Sequence, residues 1–302
     1  MNNKEQYISL AHGNGGRYMR ELIDDLFARH LANPLLNTQN DAASLSLEST
    51  EIAFTTDGFT VNPLEFPGVT IGSLAIHGTV NDLSVCGAVP KYLSLNAFIE
   101  EGMSFAQLER IIIDMAQAAD KAGVAIVTGD TKVVPRGEGA GVFFATSGIG
   151  IKTKGISLDM ANIQSGDKIL VSGTLGDHGT AVMLAREQFG LKGDLQSDSA
   201  SVFAFTQAIL TLPGLRFMRD PTRGGLASVC HEIARSIHQD VYLLQTQIPI
   251  HDQVNSVCEI LGYDPLYLAC EGRVIAIIAE QQATQALQIW QSLEGGQNTA
   301  II

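Results

Sequence analysis

Cysteine is scarce, with four in 302 residues. Cys86, Cys230, Cys258 and Cys270 stand far apart and form no Cys-x-x-Cys pair, which excludes the usual zinc spacing and a disulfide framework. Reduced, mostly buried thiols are the expectation. Positive charge is also sparse: 19 Lys and Arg face 32 Asp and Glu, for a formal net charge of -13 with no dense basic block. That balance argues against nucleic acid as a partner. Apolar runs of membrane-spanning length are missing, as is a signal-peptide core after the polar leader Met1-Asn2-Asn3-Lys4-Glu5. A cytoplasmic protein without a membrane span is expected. What the chain does have is length and a 45% hydrophobic content, enough for two domains of ordinary size or one large one.

Between Thr55 and Lys132, three Asp-bearing segments follow or interrupt apolar runs. Thr55-Thr56-Asp57 comes after Ile52-Ala53-Phe54, and Gly129-Asp130-Thr131-Lys132 comes after Val124-Ala125-Ile126-Val127. Asn81-Asp82 falls where Ile76, Val80 and Leu83 recur at helical spacing. Each carboxylate is expected at a turn or element end, where clefts form. Carboxylates brought together repel unless a hard cation lies among them, and Mg²⁺ shared with a substrate phosphate is the usual arrangement. Taken singly, each reads first as ordinary turn chemistry.

Taken in order, the chain opens with Tyr7-Ile8-Ser9-Leu10-Ala11-His12-Gly13-Asn14-Gly15-Gly16, then a helical stretch from Arg17 to about Leu31. Glycines before a helix N-terminus can admit a phosphate, although a flexible leader reads equally well and His12 reads as a surface hydrogen-bonder. Residues 33–50 read as a linker. A strand is expected over Tyr92–Ile99. A capping box, Ser104-x-x-Gln107, then opens a helix that Gly123 ends. The strand Val124–Thr128, a hairpin loop at Pro135–Gly139 and a strand from Val142 to about Ile151 complete an α+β domain. Lys132 is either an ordinary strand-flanking cation or a phosphate-binding or catalytic group.

The pattern restarts near residue 160. The strand Ile169–Ser172 runs into Gly173-Thr174-Leu175-Gly176-Asp177-His178-Gly179 and a helix, which is either an anion-binding turn or a plain strand-to-helix connection. Arg219-Asp220-Pro221-Thr222-Arg223-Gly224-Gly225 then precedes a helix carrying Leu226, Val229, Cys230 and Ile233. A cap needs only one of these residues, so the excess suggests Asp220 toward a metal and the glycine amides toward phosphate. A helix over Asp252–Leu261 follows. Glu271, entering the strand Val274–Ile278, is a general base or a turn carboxylate. A helix near Gln281–Leu293 precedes the apolar run at Thr299–Ile302, after which a further C-terminal segment is expected.

Together these segments resemble the HypE family of hydrogenase-maturation carbamoyl dehydratases, within the aminoimidazole ribonucleotide synthetase and selenophosphate synthetase superfamily. The resemblance covers nearly the whole chain. It implies two α+β domains, 1–158 and 159–302, with the first pairing strands across a homodimer into a shared β-barrel. It implies ATP and Mg²⁺ as cofactors, and ATP-dependent conversion of a C-terminal cysteine thiocarbamate to thiocyanate, the cyanide source for nickel–iron hydrogenase. The implied partners are the carbamoyltransferase HypF and a HypC–HypD scaffold. By resemblance, Asp57, Asp82 and Asp220 hold Mg²⁺ with Asp130 nearby, and Lys132 and Glu271 handle protons in exchangeable roles. His12, Gly13, Gly15, Gly16, Asn81, Thr131, Thr222, Arg223, Gly224 and Gly225 would line the nucleotide. The family's Pro-Arg-Ile-Cys ending does not follow Ile302. Two other readings stay open: a superfamily kinase or synthetase acting on a free small molecule, and a nucleotide-responsive scaffold.

Overall fold

The computed structural model describes residues 6–40, 42–186 and 193–302. The polar leader lies outside them, as does Asp41 of the expected linker. Two compact units divide the chain: Met1–Glu65, Val69–Val80 and Pro90–Ile151 form the first, and Phe66–Gly68, Asn81–Val89 and Lys152–Ile302 the second.

In the first unit a short 3-10 turn, Leu10–Gly13, leads into α1 (Arg17–Leu22), which continues as a π-helical segment, Ile23–Ala28. Strand β1 (Ile52–Phe59) follows, then the paired two-residue strands β2 (Glu65–Phe66) and β3 (Val69–Thr70) and helix α2 (Ile71–Val85), of which Phe66 and the turn from Asn81 onward belong to the second unit. Apolar and small residues occupy every turn of α2, so it is buried nearly all round. Gly72 lets it approach α3 (Phe105–Ala122), because a Cβ there would meet the Ile111 carbonyl at 2.3 Å. Helix α3 buries Leu108, Ile111, Ile112 and Met115 and ends at Gly123, which takes φ 68°. Ser104 stands at its N-cap without a side-chain cap bond, so the expected capping box does not form; its backbone instead bridges Tyr7.

Strands β4 (Ala88–Glu100), β5 (Ala125–Val134) and β6 (Val142–Lys152) join β1 in a sheet of order β1-β6-β4-β5. Two expectations change here. Asp57 and the segment Gly129–Lys132 lie inside strands rather than in turns: Asp57 pairs with Thr146, and Asp130 with Asn96. Gly129 makes the second pairing feasible, since a Cβ there would come within 2.3 Å of the Leu95 carbonyl. The loop at 135–139 is no hairpin, because β4 lies between β5 and β6. Helix α3 is the crossover that makes β4 and β5 parallel.

The second unit holds a sheet of order β10-β7-β9-β8, built from β7 (Lys168–Val171), β8 (Leu215–Arg219), β9 (Ile275–Ile278) and β10 (Ala300–Ile301). Its neighbours are antiparallel. Strand β9 is apolar throughout because both faces are covered. Ala276 and Ile278 join Trp290 of α8 (Glu280–Gln291) and Ile209 of α5 (Phe203–Ile209). Ile275 and Ile277 join Leu226, Val229 and Ile233 of α6 (Gly225–Ile237). Helices α4 (Asp177–Ala185) and α7 (Asp252–Leu261) complete the unit. Both units are α+β, as expected. No helix among the described residues is long and apolar enough to cross a membrane.

Candidate functional site

In the first unit, strand alternation sorts the charged residues. Thr131 is buried, and Val133 meets Gly13, where a Cβ would lie 2.9 Å from the Val133 Cβ, so both face the helices. Asp130 and Lys132 therefore project from the opposite, open face. Lys132 Nζ lies 3.0 Å from Asp130 Oδ2, and Asp130 Oδ1 accepts the Thr131 N–H at 2.8 Å. A pocket of about 130 Å³ is lined by Asp130 together with Phe27, Leu31, Leu36, Asn37 and Thr38 among others.

Asp57 lies elsewhere. Its partner Thr146 hydrogen-bonds Thr79 of α2, and its Oδ2 lies 3.8 Å from the position of a Cβ on Gly78. Asp57 is therefore on the helical face of one outer strand and Asp130 on the open face of the other. The resemblance implies Asp57, Asp82 and Asp220 on one Mg²⁺ with Asp130 nearby. The sheet separates Asp57 and Asp130 by three strand spacings, roughly 14 Å.

His12 is buried, a correction to its reading as a surface group. Its Nδ1 accepts the Ser9 N–H at 3.0 Å, and its ring centroid lies 5.5 Å from that of Tyr18 and 5.2 Å from that of Phe105. Gly13 serves close packing on β5. Gly15, at φ 77°, and Gly16 have open space where a Cβ would be, and the Gly15 N–H donates to Met19 Sδ at 3.2 Å.

In the second unit, Asp220 is buried at the end of β8. It does not cap α6, whose N-cap is Gly224 with no side-chain cap bond. Gly224 and Gly225 take φ 70° and 60°, and a Cβ on Gly225 would meet the Leu266 carbonyl at 2.4 Å. Backbone handedness and packing thus account for both glycines. Thr222 is half-buried and Arg223 exposed beside them, while Arg219 pairs with Glu232. Desolvation raises the Cys86 thiol pKa, the Asp82 charge adds to the rise against Lys152, and Asp220 adds less, against Arg219. Cys86 is exposed where a buried thiol was expected; Cys230, Cys258 and Cys270 are buried.

Among the described residues no three His, Cys, Asp or Glu side chains cluster as a metal cage. Mg²⁺ does not require such a cage, because it takes one or two carboxylates and fills its remaining positions with phosphate and water.

Sequence reasoning missed a buried polar network. Three amides of the Gly173–Gly179 turn are spent internally, Leu175 on the Pro249 carbonyl, Gly176 on Cys270 Sγ and Gly179 on the Ala269 carbonyl. Asp177 accepts from Thr174, pairs with His251 at 2.9 Å and lies 3.4 Å from Arg273. Arg273 Nε donates to the Thr174 carbonyl at 2.8 Å and lies 3.6 Å from Asp198. Burial pushes the Asp198 carboxyl up to about 6, against Arg273 and the Glu271 N–H. Nothing periodic marks Asp198 or Arg273, and only the fold makes them neighbours.

His178 gives a test of this region. Burial lowers its pKa to about 4, and its Nδ1 lies 2.9 Å from Ser197 Oγ. Between pH 6.5 and 4 the unfolded chain binds this proton and the folded chain does not. The stabilisation is complete above about pH 6.5 and is lost as pH falls through 4, by up to about 3 kcal/mol. Urea unfolding midpoints at pH 7 and pH 5 should differ in that sense, and His178→Gln should flatten the difference. An unaltered pH dependence in the variant refutes the assignment.

Comparison with known proteins extends the picture. Residues 39–152 match the model of the AIR synthase related protein N-terminal domain, and residues 164–302 that of the C-terminal domain. Carbamoyl dehydratase HypE of Azotobacter vinelandii is 44% identical over 296 residues, 98% of this chain and 87% of that protein. A crystal structure of hydrogenase maturation protein HypE in complex with ATP is 44% identical, with TM-score 0.93 over 97% of this chain and 88% of that one. A crystal structure of a HypE–HypF complex aligns at TM-score 0.81 and 42% identity, over 93% of this chain and 92% of that one.

Proposed function

The chain belongs to the AIR synthase related family and, within it, to the HypE carbamoyl dehydratases; from that premise we propose that it dehydrates a cysteine-borne thiocarbamate to a thiocyanate in hydrogenase maturation, using ATP. The observation that carries this reading is the 44% identity, sustained over 97% of the chain, to a HypE solved with ATP.

When bound, ATP supplies the phosphoryl group that lets the thiocarbamate oxygen leave as phosphate, while the nitrogen loses both protons and the nitrile forms. The chain's own residues position and move protons. Lys132 is half exposed with a carboxylate as neighbour, an arrangement suited to an ammonium that donates to and neutralises oxygen. Glu271 is assigned the base. Asp82 and Asp220 are assigned to Mg²⁺, Asp130 to orienting Lys132, and Gly15, Gly16, Thr131, Thr222, Arg223 and the Gly224–Gly225 turn to the nucleotide. The division 1–158 and 159–302 is retained as the functional one, in the cytoplasm, with HypF and a HypC–HypD scaffold as partners. The test is mass spectrometry of a tail-bearing, carbamoylated version of the chain. ATP-dependent loss of one water is expected, and ATP cleavage without that loss would favour a superfamily kinase or synthetase.

We also propose that two copies close their first units into one barrel. Strands β1 and β5 are outer strands, and the open face carries Ile52, Phe54 and Phe98 at 42%, 67% and 41% exposure. An apolar edge of this kind needs a cover. Phe54→Asp should turn the dimer into a monomer in sedimentation. A variant that sediments like the parent rules this pairing out.

A further inference from the structure

We infer that Asn81 and Asp198 clamp the main chain of Glu271 from both sides and are positioning residues for the proton transfer assigned to it. The Glu271 N–H donates to Asp198 Oδ1 at 3.0 Å, and Asn81 Nδ2 donates to the Glu271 carbonyl at 3.0 Å. The second Asn81 N–H goes to the Ala200 carbonyl at 3.0 Å, and its Oδ1 accepts the Val202 N–H at 2.8 Å. Asn81 is 1% exposed and has no donor left for a nucleotide, so its function is to join residues 200–202 to residue 271.

The neighbouring residues are held as well. The Cys270 N–H donates to the Pro221 carbonyl at 3.0 Å, and a Cβ on Gly272 would fall 1.8 Å from the Asp198 carbonyl. Residues 270, 271 and 272 are thus each fixed, and the half-buried Glu271 side chain projects from a rigid base. Loop anchoring alone does not call for a buried carboxylate. Asp198 Oδ2 has no hydrogen-bond partner among the described residues and only the 3.6 Å approach of Arg273, a costly arrangement where a neutral side chain would serve. Arg273 is in turn oriented by Thr174 and Asp177, and Asp177 by His251, so the charges around the clamp are themselves held.

The inference rests on the proposed dehydration, and its test separates the two. In the tail-bearing, carbamoylated chain, Asp198→Ala and Asn81→Ser should lower kcat by about tenfold to hundredfold, the effect of displacing a reacting group by roughly an ångström. Affinity for ATP should stay within about threefold of the parent, and the acid limb of the kcat–pH profile should move. An unchanged kcat in both variants beside an inactive Glu271→Gln overturns the clamp alone. Parallel loss of kcat and ATP affinity with an unmoved profile also overturns it, since that is the signature of general damage. A fully active Glu271→Gln overturns the assignment of the base and the clamp with it. Amide exchange in the parent protein decides the matter even if a variant does not fold: the Glu271 N–H should be protected, and rapid exchange refutes the clamp.

Discussion

Lys132→Ala and Glu271→Gln should each slow ATP-dependent dehydration by about 10²–10⁴-fold, while ATP binds within about threefold of its parent affinity. The reason is that neither group is needed to hold the nucleotide. Lys132 lies on the open face of β5 with Asp130 at 3.0 Å, and Glu271 projects from a loop whose backbone bonds are already satisfied. An exposed ion pair such as Lys132–Asp130 contributes little to stability, so Lys132→Ala should melt within about 1 kcal/mol of the parent. Single-turnover dehydration beside equilibrium ATP binding makes the comparison. Parent-like dehydration in both variants would remove the two groups from the proton chemistry, whereas a parent that binds ATP without dehydrating the thiocarbamate would leave a nucleotide-responsive scaffold.

Trp290→Ala should have the largest effect on stability, about 3–5 kcal/mol. Trp290 is fully buried on α8, its ring packs edge-on against Phe205 at 5.9 Å, and its Nε1–H donates to the Phe205 carbonyl at 2.8 Å. It joins Leu170 of β7, Ala276 and Ile278 of β9 and Ile209 of α5, so truncation opens a cavity where sheet and helices meet. Trp290→Phe should fall between the two, because most of the volume returns while the Phe205 carbonyl stays unpaired, at about 1–3 kcal/mol. Denaturant unfolding followed by circular dichroism gives both values. A loss below about 1 kcal/mol for the alanine variant would mean that this helix contributes little to the second unit.

Corrections to the site fall mostly on residues whose surroundings come from distant parts of the chain. Asp57 follows an apolar run and reads as a strand end, yet it pairs with Thr146 inside a strand. Asn81 reads as a polar residue on a helix with a ligand to meet, yet its amide is committed to Ala200, Val202 and Glu271. Gly13 reads as a phosphate-binding glycine, yet its missing Cβ faces Val133 in close packing on β5. Glycine permits either use, and only the atom opposite the missing Cβ tells them apart.

What the amino-acid sequence determined by itself was local and periodic: the stripe of α3 and its stop at Gly123, the buried run of β9, the α+β class, and the linked motifs that identify the family. These follow from side-chain spacing along one element and need no knowledge of its neighbours. The tertiary structure alone decided that β4 lies between β5 and β6, that Asp57 and Asp130 occupy opposite edges and faces of one sheet, and that Asn81, Asp198 and Arg273 assemble around Glu271. Strand order and buried polar networks join residues as far as 190 positions apart, and such pairings are set by which surfaces pack together, a property no short window of sequence contains.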